Sequence, residues 1–543
     1  MSLYKPGIEQ EPIRRLIEKA VTGKIDIPEI QRNFVWSKHQ VADILDSLLK
    51  GYPIGSFLVW DLSDYTQGKH VYEKIPKEWL VDGQQRIIAL CLLTRRKPYW
   101  LEISDWNDLV RKYEIKVNVL TLEVSLEYSA IKRNPEWVHP HDIFNSESLE
   151  KFSEEQASKL NNPKLFTRIY DNAKKIQDAL NIDIPVIKIN TSLENIATIF
   201  ERINSAGTRV KQADITLAYV AAFNQGWVRE EFTKYLNDLD DEGFYLDPTL
   251  LIRMLTTIGE SKAVLREVSE SFLRNENGVL DRAFFELKSS LNNQLLDFKN
   301  VGILTSDLIY AKNALIPLIY LRSKFGKEFE FKKAFFFFLL ALWTGRYSGS
   351  AETTLQEDVN KIKISKNFDT AIQELVKELK ITKITKEDLK NVIHYQGEGR
   401  FFKLLLYLVA YRNGAVDWFS NVRLGFTKQN EVNKDFNIEE HHFFPRSLLR
   451  NLGVVKEKRE LLANITFINP GTNKRLSEQP YTYIQKYKID KEELRKQLIP
   501  LEEDLWKAHN YDQFIEKRAE LIANEINKFL EDLHPSNFNK FII

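Results

Sequence analysis

An α+β N-terminal region, a mainly α-helical middle and a C-terminal part that embeds a short histidine-bearing segment among helices is the fold class this sequence predicts. Three observations carry it. Segments with strand-like and helix-like apolar patterns alternate over the first part of the chain. From about Thr216 to Val409 helical segments dominate. Beyond Gly397 a helix is followed by a His-rich turn, an Asn-rich loop and charged helices. A chain of 543 residues is several times the usual ~100–150 residues of one domain. The expected divisions are 1–225, 226–396 and 397–543.

The elements follow in order. Ile13, Leu16, Ile17 and Ala20 recur at helical spacing, which predicts a helix within Ile8 to Ala20, and Lys24 to Ile30 reads as extended. Val41, Ile44, Leu45, Leu48 and Leu49 predict a helix stopped at Gly51. Ile54 to Trp60 is rich in strand formers. Leu80 to Asp82 reads as a strand, a tight turn follows, and Gln84 to Arg95 has helical spacing. Ile115 to Val124 reads as one strand, Ile184 to Ile189 as another, and Leu193 to Ile203 as a helix. In the middle, Ala314 to Phe325 and Lys332 to Leu342 are predicted helices, with Phe335 to Phe338 in the core. Phe401 to Tyr411 is the next helix, and charged helices run from Asp490 onward.

Composition narrows the class further. With 43% hydrophobic and 12% aromatic residues the chain can bury cores, which excludes a mostly disordered protein. The 77 basic and 76 acidic residues leave a net charge of +1, so a nucleic-acid partner must be met by a local patch. A single cysteine, Cys91, excludes an intramolecular disulfide and argues against a Cys-based zinc site. The longest apolar run, Ala334 to Trp343, has ten residues, against about 20 needed to span a bilayer. With a polar start lacking an apolar core segment, the expectation is a cytoplasmic protein without a membrane partner.

Two segments carry chemistry. Asp82-Gly83-Gln84-Gln85-Arg86 places a carboxylate, a glycine, two amides and a guanidinium where a strand turns into a helix. A helix start attracts anions through its N–H groups and dipole, a glycine lets backbone approach closely, and a guanidinium grips phosphate oxygens in pairs. Asp82 would then hold a metal or orient water. The alternative is an ordinary turn with Asp82 as helix N-cap and Arg86 in a surface salt bridge. Two further segments, Pro28 to Trp36 with Gln31 and Arg32, and Phe200 to Thr208 with Arg202, Asn204 and Gly207, also collect hydrogen-bonding groups and turn residues beside helices.

Taken in order, Gln31-Arg32 with Trp36, Tyr52-Pro53-Ile54-Gly55, Asp82 to Arg86 and Asn204 to Thr208 resemble the nucleotide-hydrolysing domain of GmrSD-like, modification-dependent (type IV) restriction proteins. That domain has a ParB/sulfiredoxin-like fold. The resemblance covers roughly residues 8 to 225. It implies nucleoside triphosphate hydrolysis, with Asp82 and Arg86 catalytic and Gln31, Arg32, Gly83, Gln84, Gln85, Asn204 and Gly207 binding the nucleotide.

Near the other end, Glu439-Glu440-His441-His442-Phe443-Phe444-Pro445 sets two of nine histidines side by side. Neighbouring side chains on a strand point in different directions, so one imidazole can bind a metal while the next faces substrate. Phosphodiester cleavage uses both: a neutral imidazole to take a proton from water and a divalent ion to stabilise charge on the phosphate. Between His441 and Arg475 seven Lys or Arg face only Glu457 and Glu460, a basic stretch suited to a phosphate backbone.

The order His441-His442, Asn464, Asn473 resembles the HNH, or His-Me finger, nuclease motif, in which two strands and a helix surround one metal. The resemblance implies His442 as general base, His441 and Asn473 as metal ligands, and Asn464 as the residue that steadies the loop. Mg²⁺ or Mn²⁺ is the expected metal, although a His and amide set also admits Ni²⁺ or Zn²⁺. The C-terminal half of GmrSD-like proteins carries this same motif. The combined expectation is an anti-phage endonuclease in which triphosphate hydrolysis regulates metal-dependent cleavage of modified foreign DNA, with homo-oligomerisation left open. Two other readings stand beside it: a nucleotide-sensing switch with an inactive or partner-dependent nuclease, and an RNA-directed, toxin-like nuclease.

Overall fold

The computed structural model describes residues 7–27, 34–61, 78–190, 212–224, 226–348, 351–379, 383–426, 440–473 and 475–534. The chain forms two compact units, residues 1–225 and 226–543.

The first unit is built on a five-stranded sheet. Its strands are β1 (Gly7–Pro12), β2 (Ile25–Asp26), β3 (Phe57–Asp61), β4 (Glu78–Asp82) and, after an inserted subdomain, β8 (Asp183–Ile189), in the order β1-β8-β3-β4-β2. β8 runs parallel to β3, and β3 antiparallel to β4. Phe57, Val59 and Leu80 face a core shared with helices α1 (Ile13–Thr22), α2 (Lys38–Leu49) and α3 (Gln84–Thr94). Leu58, Trp60, Val81 and Ile189 face the other way, against Tyr219 and Phe223 of the helix Gln212–Phe223. Covering both faces explains why the central strand reads Phe-Leu-Val-Trp without polar alternation. Each such side chain, fully buried, contributes about 1.5–3 kcal/mol of transfer free energy.

Two expectations need correction here. The helix expected within Ile8 to Ala20 begins only at Ile13, and Gly7–Pro12 is an edge strand paired with β8. Its residues Ile8 to Gln10 are exposed, so backbone pairing rather than an apolar pattern makes it a strand. Pro12, at φ −66°, is preset for the helix entry. The stretch Ile115 to Val124 is a hairpin: β5 (Ile115–Asn118) turns back into β6 (Val124–Leu126), and β7 (Trp137–Val138) completes a sheet of order β6-β5-β7. Asn118 makes the turn by accepting from the N–H groups of Leu120 (2.8 Å) and Thr121 (3.0 Å). The helix α2 starts on the capping box of Ser37 and Gln40 and ends before Gly51, as its sequence signals. The helix expected over Leu193 to Ile203 lies outside the described residues.

Among the described residues the second unit is mainly helical, with one short strand pair, β9 (Glu440–His442) with β10 (Ile465–Phe467). The helices Leu315–Phe325 and Phe331–Trp343 lie where the sequence predicts, and Phe335 to Phe338 are buried. The helical middle and the C-terminal part, read from the sequence as two regions, share this unit because the long helix Tyr511–Leu533 packs on Phe331–Trp343, on Gly399–Arg412 and on the turn Leu462–Asn464. Among the described residues no helix is long and apolar enough to cross a membrane.

Candidate active sites

In the first unit the Asp82 to Arg86 segment caps the edge between β4 and α3. Gly83 occupies the helix N-cap at φ +108°, and a Cβ there would lie 2.4 Å from the Phe57 ring. Only glycine satisfies both the backbone and the space. Arg86 reaches back to Asp82 (Nη2 to Oδ2, 2.7 Å), donates to the Ile54 carbonyl (3.0 Å) and lies 5.0 Å from the Phe57 ring centre. Gly55 makes room for it, since a Cβ at that position would meet Nη1 at 2.4 Å. Gln85 accepts from the N–H of Val35 at 2.9 Å.

The segment ending in Val35-Trp36, the Tyr52 to Gly55 turn and the Asp82 to Arg86 turn therefore converge on the start of α3. The salt bridge weighed as the alternative role of Arg86 is present, with the Arg86 side chain 16% and the Asp82 side chain 39% exposed. Asp82 is not the N-cap, which is Gly83. Gln84 is buried. Gln31, Arg32, Asn204 and Gly207 lie outside the described residues.

In the second unit β9 and β10 pair antiparallel, with His442 opposite Ile465 and His441 opposite Thr466. A helical turn, Pro470–Asn473, follows β10 directly. This strand–strand–turn order brings the two ends of the motif together: His441 Nδ1 lies 2.8 Å from Asn473 Oδ1. Asn464 is fully buried and clasps the loop after β9. It accepts from the Phe444 N–H (2.9 Å) and donates to the carbonyls of Phe444 (3.1 Å) and Arg459 (3.3 Å). All three of these hydrogen bonds go to backbone groups of Phe444 and Arg459.

Side chains of adjacent strand residues diverge, and the two imidazoles do so here. His441 turns toward Asn473, Trp418 and Tyr483. His442 turns toward Glu460 (Nε2 to Oε2, 3.1 Å), and Arg446 Nε donates to His442 Nε2 at 3.1 Å. Arg446 also pairs with Glu460. Burial pushes the His441 imidazole down to about 4 against the opposing pull of Asn473. Burial, with Arg446 next, pushes His442 down to about 4 as well, opposed by Glu460. Both rings are therefore neutral near pH 7, the form required of a ligand or a base. An open cleft of about 500 Å³ is lined by both histidines, Glu440, Arg446, Arg450 and Asn473.

The donor set fits a divalent cation. A neutral His441 with its proton on Nε2 presents the Nδ1 lone pair to the Asn473 carbonyl oxygen at 2.8 Å, two acceptors aimed at each other. With the proton on Nδ1, the buried Nε2, which has no hydrogen-bond partner, would be an unsatisfied acceptor. His441 Nδ1 and Asn473 Oδ1 are the atoms that would hold such a cation, with the His441 proton on Nε2.

Sequence reasoning missed the residues that hold this centre. Asp417, fully buried, accepts from the N–H of Asn469 (2.8 Å), from Ser420 Oγ (2.7 Å) and from Thr472 Oγ1 (2.9 Å), and so ties down the turn that carries Asn473. Burial opposes ionisation of Asp417, but these donors hold its carboxyl below the usual range. Arg518, also fully buried, donates to the carbonyls of Ala463 (2.9 Å), Ile465 (2.6 Å) and Gln497 (3.1 Å), joining β10 to the long C-terminal helix. No local pattern marks either residue. Glu460 stands 18 positions after His442 in the basic stretch read from the sequence as a face for a phosphate backbone, and the fold buries it.

Comparison with known proteins bears on the first unit. Residues 13–221 match the family model described as "GmrSD restriction endonuclease, N-terminal domain". Over 97% of its length the chain is similar to an uncharacterized protein of Methanocaldococcus jannaschii, 24% identical across an alignment of 586 positions that takes in 95% of that protein. The match takes in β2, β3, β4, β8 and the convergence of turns at the start of α3. Residues 13–221 are thus similar to the N-terminal domain of the GmrSD restriction endonuclease, which links this protein to restriction-endonuclease-related function.

Proposed function

We propose that this protein is a metal-dependent endonuclease of the type IV restriction class. In this reading the N-terminal unit hydrolyses a nucleoside triphosphate, and that hydrolysis regulates cleavage of modified foreign DNA by the C-terminal centre. The observation that carries the nuclease half is the convergence of His441 and Asn473 at 2.8 Å with the neutral His442 on the same cleft wall.

In the proposed reaction a water molecule gives its proton to His442 as its oxygen attacks phosphorus and the bond to the leaving ester oxygen breaks. Glu460, 3.1 Å away, stabilises the imidazolium that results. Arg446, half exposed at the cleft, and Arg450 meet the phosphate backbone. His441 and Asn473 would hold the divalent cation, which when bound supplies stabilisation of the charge that builds on the phosphate. In the N-terminal unit, Asp82 and Arg86 at the start of α3 would engage the triphosphate, Arg86 leaving its Asp82 pair for phosphate oxygens of higher charge.

Cleavage of modified and unmodified DNA, with and without each nucleoside triphosphate, tests both halves. His442→Ala is expected to abolish cutting and leave triphosphate hydrolysis near normal, whereas Asp82→Ala or Arg86→Ala removes hydrolysis. Cutting that survives in His442→Ala would remove His442 as the base. RNA in the same assay separates this reading from an RNA-directed nuclease.

A further inference from the structure

His394, His442 and Glu460 form a second group of donors that the nuclease reading does not use as ligands. Their ligating atoms all lie within 4.8 Å of one another. His394 Nε2 is 3.3 Å and His442 Nε2 is 3.1 Å from Glu460 Oε2. Four ligands at about 2.0–2.1 Å around a tetrahedral ion stand about 3.3–3.4 Å apart. Both separations thus lie close to the edges of such a polyhedron, and the third is within 4.8 Å.

Backbone pairing sets this arrangement in place. The His394 N–H donates to the Glu460 carbonyl (3.2 Å) and the Leu462 N–H to the Val392 carbonyl (2.8 Å), so two of the three ligand segments are pinned side by side. His394 is 2% and Glu460 6% exposed. Behind His394, Nδ1 lies 2.8 Å from Glu440 Oε2, and Lys403 pairs with the other Glu440 oxygen. The carboxylate stands where an outer-shell partner of a metal-bound histidine would, close to Nδ1 but out of hydrogen-bond alignment with it. Burial opposes ionisation of Glu440, yet His394 and Lys403 hold it down at about 2, so it is an anion at any ordinary pH. The other such group among the described residues, Glu114, Glu127 and His139, is only partly buried, and its carboxylates already pair with Arg95, Lys116 and Lys132.

We propose that His394, His442 and Glu460 bind a first-row transition ion of the Zn²⁺ class, and that its binding switches the nuclease off. The site stands on the ligand geometry alone. The switch rests on the reading of His442 as base, because an ion on Nε2 occupies the lone pair that would take the proton from water. Arg446 now lies against both His442 and Glu460. Its side chain is 55% exposed and can swing into the cleft, so it competes with the ion and keeps the switch reversible.

The test uses the full chain and Co²⁺ as a spectroscopic probe. Wild type is expected to give the visible absorption of tetrahedral Co²⁺. His394→Gln and Glu460→Gln weaken binding by about tenfold or more, Asn473→Ala keeps it, and Arg446→Ala tightens it. His394→Asn serves as a second variant where His394→Gln melts early. Absence of Co²⁺ binding in wild type, or binding lost in Asn473→Ala and kept in His394→Gln, overturns the site. In the second arm, micromolar Zn²⁺ is expected to stop Mg²⁺-supported DNA cleavage by wild type, while His394→Gln cuts normally and resists Zn²⁺ about tenfold better. Co²⁺ binding without Zn²⁺ inhibition overturns the switch. Co²⁺ binding in a protein that cuts no DNA with any metal supports the site and sinks the nuclease reading instead.

Discussion

Asn464→Ala removes three hydrogen bonds at once from a fully buried position. The N–H of Phe444 and the carbonyls of Phe444 and Arg459 lose their partner, and the two Phe444 groups are buried, whereas the Arg459 carbonyl is part-buried. The orphaned N–H costs about 1–3 kcal/mol and each carbonyl, with a second lone pair, about 1 kcal/mol or less, so the expected loss is about 2–4 kcal/mol. At about 2 °C per kcal/mol for a unit of this size, the melting temperature falls by about 4–8 °C. Asn464→Asp sharpens the test: it keeps the acceptor for Phe444 N–H but turns a carboxylate oxygen on two carbonyls, and is expected to be at least as damaging. Urea denaturation gives the free energy, and a DNA-cutting assay run well below the melting point gives the functional cost. Release of the Phe444-Pro445 loop moves His442, so cutting is expected to drop by about 100-fold. A stability loss below about 1 kcal/mol for both variants would refute the clasp.

Three other outcomes are expected. Gly83→Ala combines a φ of +108° with a Cβ 2.4 Å from the Phe57 ring and costs about 2–4 kcal/mol in the first unit; Phe57→Leu in the same chain recovers part of it, and strictly additive losses would disprove the clash. Asp417→Asn weakens the donors' anchor on the Asn473 turn and lowers Mn²⁺ affinity at His441 and Asn473 by about 10–100-fold in calorimetry, with a circular dichroism spectrum like wild type; unchanged affinity would separate Asp417 from the metal. Hydrogen bonds from Lys361 and Arg346 hold Glu378 at about 2, below its usual 4.5. Its stabilising effect is thus complete above pH 4.5 and is lost as the pH falls toward 2. Glu378→Gln should flatten that acid limb in thermal melts, by a small amount that 1 M salt reduces, because the side chain is half exposed; an unchanged acid limb would show the pairing contributes nothing.

How much of this was legible beforehand follows from the range of the interactions. The period of Val41 to Leu49, the stop at Gly51, and the aromatic run Phe335 to Phe338 are local patterns, and the elements stand where those patterns put them. The pairing of Gly7–Pro12 with β8 joins residues some 175 positions apart, so its exposed polar pattern gave no sign of a strand. Motif order alone proposed that His441 and Asn473 meet, and the pairing of β9 with β10 brings them within hydrogen-bond distance. Residue type and order by themselves determined the catalytic vocabulary: a glycine where backbone must turn, imidazoles and amides where a phosphate and an ion would be handled. Tertiary structure alone decided which groups face one another. It buried Glu460 out of a charged run, carried His394 across 48 positions to the back of His442, and set Asp417 under the Asn473 turn. Each of these depends on the free energy of burying a polar group, which is repaid only by partners distant in the chain.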